Sequence, residues 1–209
     1  AMVIPGQVSI DTEYTSIKLT SKSAASLDTY NNTTLTGNTS GVVAKVIKVS
    51  ATDGTDPDTL FIKYEKAGTD NTAQVFQAGE TVTSNATGSP TLVVATTHTG
   101  SAAAIESGVY YINGFHVNVD SSTLVLDKYT NTPSYRIGLS VTESFVTPND
   151  DTTLNDNAQG TSNVNAPGAH RFKITLTLAK KTLTATDDNN FFEIARVENG
   201  NIKSIVTRY

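Results

Sequence analysis

Cysteine and tryptophan are both missing from this chain, and methionine occurs once. Without cysteine there is no disulfide framework, no thiolate zinc site and no cysteine nucleophile, so sheet pairing and apolar packing must supply the stability. Charge is also scarce: 17% of the residues are Asp, Glu, Lys or Arg, and the formal net charge is -5. An acidic chain without a clustered basic face has no electrostatic footprint for a nucleic-acid backbone, which argues against a DNA or RNA partner. No stretch approaches the ~18 uncharged apolar residues of a membrane span. The opening AMVIPGQV lacks the basic and apolar regions of a signal peptide, so membrane insertion is not expected. Ala1 and Met2 read as an expression scar, and the closing SIVTRY stops at a strand without a terminating turn; a longer parent polypeptide is expected.

What the chain does contain is Thr, Ser, Asn and Gly, the composition of a turn-rich, all-β protein. Its 209 residues suffice for a sizeable core in one or two domains. Period-two alternation marks QVSIDTEYTSIKLT from Gln7, and a brief helical turn is expected near Ala24 to Leu27. Between residues 37 and 98, four or five short strands recur at a spacing typical of small sandwiches and barrels, among them GVVAKVIKVS, TLFIKYEKAG, AQVFQAGETVTS and SPTLVVATTH. In the second half, Asn113-Gly114 and Asn199-Gly200 sit between alternating runs and predict tight hairpins. HRFKITLTLAKKTL puts Phe172, Ile174, Leu176 and Leu178 on one face and Arg171, Lys173, Thr175 and Thr177 on the other. The expected architecture is an antiparallel, β-sandwich-like main domain from residues 1 to 36 and 99 to 209, with a small β-barrel or β-sandwich module inserted at 37 to 98.

Groups that do chemistry do not converge in the sequence. His98, His116 and His170 lie far apart and in no ligand spacing. The sharpest candidate is the strand FHVNVD: alternation puts His116, Asn118 and Asp120 on one face, a polar ladder suited to a metal or a sugar, or simply to solvent or a subunit. Asp53, Asp56 and Asp58 in DGTDPD miss the EF-hand spacing and read better as turn residues, as do Asp187 and Asp188. Tyr110, Tyr111, Tyr129 and Tyr135 offer rings for a sugar, although strand tyrosines are more often half-buried in the sheet. No cofactor and no catalytic residue is expected.

GVYYINGFHVNVD, NTPSYRIGL, VTPNDDTTLNDNAQG, NAPGAHRFKITL and EIARVENGNIKSIV together resemble a domain of uncharacterised function in tail and baseplate proteins of contractile-tailed bacteriophages. The resemblance is to large virion structural proteins of phages infecting marine cyanobacteria, and it covers residues 105 to 209. It implies an architectural, noncatalytic role within a baseplate or a tail-fibre attachment. The partners would be other tail or baseplate proteins or further copies of the chain, and the location the virion, assembled in the host cytoplasm. A module binding host-surface glycans is the alternative reading, and a polysaccharide-degrading enzyme the third. Aromatics at 7% and the absence of Trp count against both sugar readings.

NDDTTLNDNAQGTSNVNAPGAHRF, residues 149 to 172, is too long for an ordinary connection. Its acids, Asp150, Asp151 and Asp156, lie among turn formers rather than in the rigid, dissimilar environments that acid-base pairs require. A docked protein-contact loop shaped by Leu154, Asn157, Gly160 and Pro167 is the expectation. Deleting residues 153 to 166 should then weaken folding or assembly rather than abolish a reaction; unchanged melting and unchanged assembly would sink it.

Overall fold

Alternating β-branched and polar residues, cut by Gly, Asn and Asp turns, fold into antiparallel strands in the computed structural model, which describes residues 2–4, 8–69, 72–155, 169–186 and 188–205. In chain order these are β1 (Met2–Ile4), β2 (Val8–Lys22), β3 (Thr34–Gly37), β4 (Val43–Ser50), β5 (Thr59–Lys66), β6 (Thr81–Ser84) and β7 (Thr91–Ile105). There follow β8 (Gly108–Ile112), β9 (Phe115–Val119), β10 (Ser122–Asp127), β11 (Tyr135–Val146), β12 (Arg171–Thr182), β13 (Phe191–Glu198) and β14 (Asn201–Ile205). Helix is confined among the described residues to single 3-10 turns at Leu27–Tyr30 and Thr152–Leu154. The first forms a little later than its expected place because Ser26 caps it, its hydroxyl accepting from the Asp28 N–H at 3.2 Å. The chain is thus all-β and antiparallel.

The first lobe closes on itself. β2, β5, β4, β3 and β6 follow one another in hydrogen-bonded order, and β7 pairs with both β6 and β2, completing a six-stranded ring. Closure removes the unpaired edges that short strands would otherwise expose. Inward positions such as Ile17, Leu35, Ala44, Val46, Leu60, Ile62, Val82 and Val94 fill the barrel. The core also draws on residues that precede the 37 to 98 stretch, since Ile17 and Leu19 of β2, Leu27, Tyr30 and Leu35 belong to it. AQVFQAGETVTS forms a strand only at its end, over Thr81–Ser84. Its Phe76 instead plugs the barrel, 2% exposed, with its N–H donating to Tyr64 Oη at 3.1 Å and its ring edge-on to that tyrosine.

The second lobe is a layered packing of a four-stranded sheet, β12-β11-β13-β14, against the three-stranded β1-β8-β9 and the far ends of β2, β7 and β10. Ile137, Leu139 and Val141 of β11 meet Ala103, Ile105, Ile112, Val119 and Leu126 across this core. Both expected hairpins form: Asn113 and Gly114 sit at φ 48° and 91°, Asn199 and Gly200 at 49° and 77°, the left-handed region that Asn and Gly enter most easily.

β2 and β7 run through both lobes, paired from Val8↔Ile105 to Lys22↔Leu92. The ladder shifts between Asp11 and Tyr14, where it leaves one core for the other. Gly100 stands opposite Tyr14, and a Cβ there would lie 2.8 Å from Lys128 O and 2.9 Å from Asp127 O. Those oxygens are backbone atoms of the last residue of β10 and the one after it and cannot swing aside. Gly100→Ala should therefore lower stability by about 1–3 kcal/mol in chemical denaturation; an unchanged midpoint would show that this crossing tolerates a methyl group.

Candidate functional site

β9 owes its position to the two-residue turn at Asn113-Gly114, which folds it back on β8 in unbroken register from Ile112↔Phe115 to Gly108↔Val119. Val117 and Val119 enter the core, while His116, Asn118 and Asp120 are exposed. His116 packs edge-on to Tyr111, centroids 5.3 Å apart. No group of three or more His, Cys, Asp or Glu side chains able to hold a metal occurs among the described residues. The polar ladder exists as an exposed face of β9. His98 is engaged elsewhere, its Nε2 2.9 Å from Thr96 Oγ1 and its ring against Tyr129, and His170 is exposed.

Phe115 shares the side of β9 that carries Val117 and Val119, yet it is 53% exposed. Its ring lies 5.7 Å from that of Phe172, which lies 5.6 Å from that of Phe145. Phe145 and Phe172 are direct cross-strand partners on β11 and β12, in line with the core residues Leu139 and Leu178, and they are 67% and 42% exposed. The three rings extend the second core past the end of its cover. Parity alone assigns these phenylalanines to the core face; only the place where the covering sheet ends leaves them in water.

The acidic turn DGTDPD is a fastening. Asp58 pairs with Lys22, Asp56 with Lys18 at 3.7 Å and Lys128 at 3.6 Å, and Asp53 with Lys128 at 3.4 Å. The Lys22 hydrogen bond holds the Asp58 carboxyl below its usual range, and the Asp56 and Thr55 backbone N–H groups do the same for Asp53. Asp188 likewise pairs with Lys181 at 2.8 Å; Asp187 lies outside the described residues.

At the start of the 149 to 172 segment, Thr147 donates to Asp150 through its N–H at 2.9 Å and its hydroxyl at 2.8 Å, and Thr153 donates to Asp151 at 3.0 and 2.7 Å. The Thr147 N–H holds the Asp150 carboxyl low and the Thr153 hydroxyl holds that of Asp151 low, so both are ionised near neutrality and unsuited to donate a proton. Leu154 is 4% exposed, and its carbonyl accepts from the Ala169 N–H at 3.1 Å, tying the two sides of the loop together. Asn157, Gly160 and Pro167, with Asp156, lie outside the described residues.

Sequence patterns gave no sign of Glu80, the one buried charged side chain among the described residues, at 5% exposure. A buried carboxylate often marks a reactive site, but this one is occupied with backbone. Oε1 accepts the N–H of Ser40 at 2.6 Å and of Thr39 at 3.0 Å, and Oε2 that of Gln77 at 3.1 Å. Gly37 leaves room for it, since a Cβ there would lie 2.5 Å from Oε1. Burial pushes the Glu80 carboxyl up, but the hydrogen bonds from Ser40, Gln77 and Thr39 outweigh it and hold the group below its usual range.

The family described as "Domain of unknown function (DUF4815)" matches residues 61–207, from within β5 through β14. No curated protein and no solved structure matches the chain.

Because its folded pKa is depressed, Glu80 contributes stability in full above the ordinary value of 4.5, and loses it as pH falls through the lower folded value. Glu80→Gln should cost about 1–3 kcal/mol at pH 7, with the deficit shrinking in more acid solution; an equal deficit at pH 7 and pH 3 by urea titration would contradict the role assigned to the carboxylate.

Proposed function

The chain belongs to the DUF4815 family, and we propose that it is a noncatalytic structural module of a phage virion. Its place would be a tail baseplate or a tail-fibre attachment, where its work is to make contacts with other proteins. The observation that carries this reading is the row Phe115, Phe172 and Phe145, core-type side chains left 42% to 67% exposed at one end of the second lobe. Contiguous exposed aromatics bordered by polar side chains favour a contact surface. The ionisable groups around the row support the same reading. Asp150 and Asp151 are satisfied by threonines, and Glu143 accepts from Asn113 Nδ2 at 2.6 Å. None of these pairs sets one carboxylate against another in the manner of a glycosidase. The likeness of residues 105 to 209 to tail and baseplate proteins supplies the virion setting.

The test is location together with inertness. Antibody raised against the purified chain should label the tail or baseplate of intact particles in electron microscopy. The chain should neither hydrolyse host polysaccharides nor melt at a higher temperature when they are added. Labelling absent from the particle would overturn the virion reading, and a saturable, glycan-dependent rise in Tm would replace it with receptor binding.

A further inference from the structure

Two turns of the second lobe are the same dipeptide in the same conformation. Asn113-Gly114 joins β8 to β9 and Asn199-Gly200 joins β13 to β14, each closing a two-residue hairpin on the pairs Ile112↔Phe115 and Glu198↔Asn201. φ is 48° and 49° at the asparagines, and 91° and 77° at the glycines. One backbone shape thus presents the sequence Asn-Gly twice, and any difference in its chemistry must come from the surroundings.

The surroundings differ at the reacting atoms. The Gly200 N–H donates to Pro133 O at 3.0 Å, and a Cβ on Gly200 would lie 2.7 Å from Asn131 O. The Asn199 N–H donates to Ser134 Oγ at 2.8 Å, and Asn201 Nδ2 donates to Asn199 O at 3.1 Å. The segment from Asn131 to Ser134 therefore lies against this turn. At the other turn both residues are exposed, and a Cβ on Gly114 would meet nothing within 4 Å. The Gly114 N–H has no hydrogen-bond partner among the described residues. Only the carboxamide is held, Asn113 Nδ2 donating to the exposed Glu143 carboxylate at 2.6 Å.

A glycine after asparagine leaves its own backbone nitrogen open to the side chain before it, because no Cβ stands in the way. At Asn113 the reaction runs in two steps. Hydroxide takes the Gly114 amide proton and the nitrogen attacks Asn113 Cγ; the Cγ–Nδ2 bond breaks, and ammonia leaves with a proton from water. Water then opens the five-membered succinimide at either carbonyl, leaving aspartate or isoaspartate. At Asn199 the same nitrogen must first give up Pro133 O.

We propose that Asn113 is a site of spontaneous deamidation and that the packing of residues 131–134 protects Asn199 from it. The product changes its neighbourhood. A carboxylate at position 113 is ionised near neutrality and stands where the carboxamide donated to Glu143, so a hydrogen bond becomes a repulsion. Isoaspartate also lengthens the main chain of a two-residue turn that fixes the register of β9. Conversion therefore loosens the hairpin that carries Phe115. This chemistry is independent of the proposed function.

The test incubates the full chain in mildly alkaline buffer and follows the amide-to-acid mass gain at each asparagine by peptide mapping, with the short peptide Ile-Asn-Gly-Phe as the unfolded standard. Asn113 should convert at least about fivefold faster than Asn199, the factor supplied by one hydrogen bond of ordinary net strength. The converted chain, separated by ion exchange, should melt below its parent, and Glu143→Gln should reduce that loss by removing the repulsion. Equal conversion at the two sites, faster conversion at Asn199, or an Asn113 that stays intact while the peptide converts would overturn the proposal. A converted chain with the Tm of its parent, or a loss that Glu143→Gln leaves unchanged, would overturn the part given to Glu143.

Discussion

The antiparallel ladder between β2 and β7 is the constraint on which the rest of the structure depends. It spans both lobes, and each strand contributes alternate side chains to two different cores: Ile17, Leu19, Leu92 and Val94 to the barrel, Val8, Ile10, Ala103 and Ile105 to the layered lobe. Because strand side chains alternate with period two, a slip of one residue would turn both sets into solvent at once. The shift between Asp11 and Tyr14 lets one ladder serve two cores whose inward faces are not in phase. Fastenings gather beside this crossing. Ser16 Oγ donates to Lys128 O at 2.7 Å, Thr59 Oγ1 lies 3.0 Å from Tyr129 Oη, and the Lys18 ammonium sits 4.0 Å from the Tyr129 ring centroid.

Few charges are present, and most of those with partners hold turns and strand ends. Lys18, Lys22 and Lys128 gather the acidic turn before β5, while Glu193 takes Arg136 at 2.5 Å and Arg196 at 2.9 Å on the outer face of β13. Exposed pairs of this kind contribute little individually; their effect is to fix the ends of strands whose interiors are held by packing. The faces between them are rich in Thr, Asn and Ser.

Much of the architecture was legible because its signals are local. Asn-Gly between alternating runs specifies a tight hairpin wherever it occurs, and β12 kept the alternation of Phe172, Ile174, Leu176 and Leu178. The acidic turns were legible as turns, since aspartates flanked by Thr and Gly accept neighbouring backbone N–H groups. Glu80 was not legible: its three donors come from residues 39, 40 and 77, brought together only when β3 and β6 pair. In the 149 to 172 segment Leu154 is buried and its carbonyl accepts from the Ala169 N–H, a pairing across the segment that residue order does not signal.

The strand FHVNVD separates the two kinds of information. Residue order alone determined that His116 and Asn118 face opposite to Val117 and Val119, and that an Asn-Gly turn precedes them, because parity and turn preference are properties of the chain itself. Tertiary structure decided that this strand ends a sheet and that the cover over Phe115, Phe145 and Phe172 stops short. Which edge stays open depends on where other sheets end, and that is set by contacts between residues far apart in the chain.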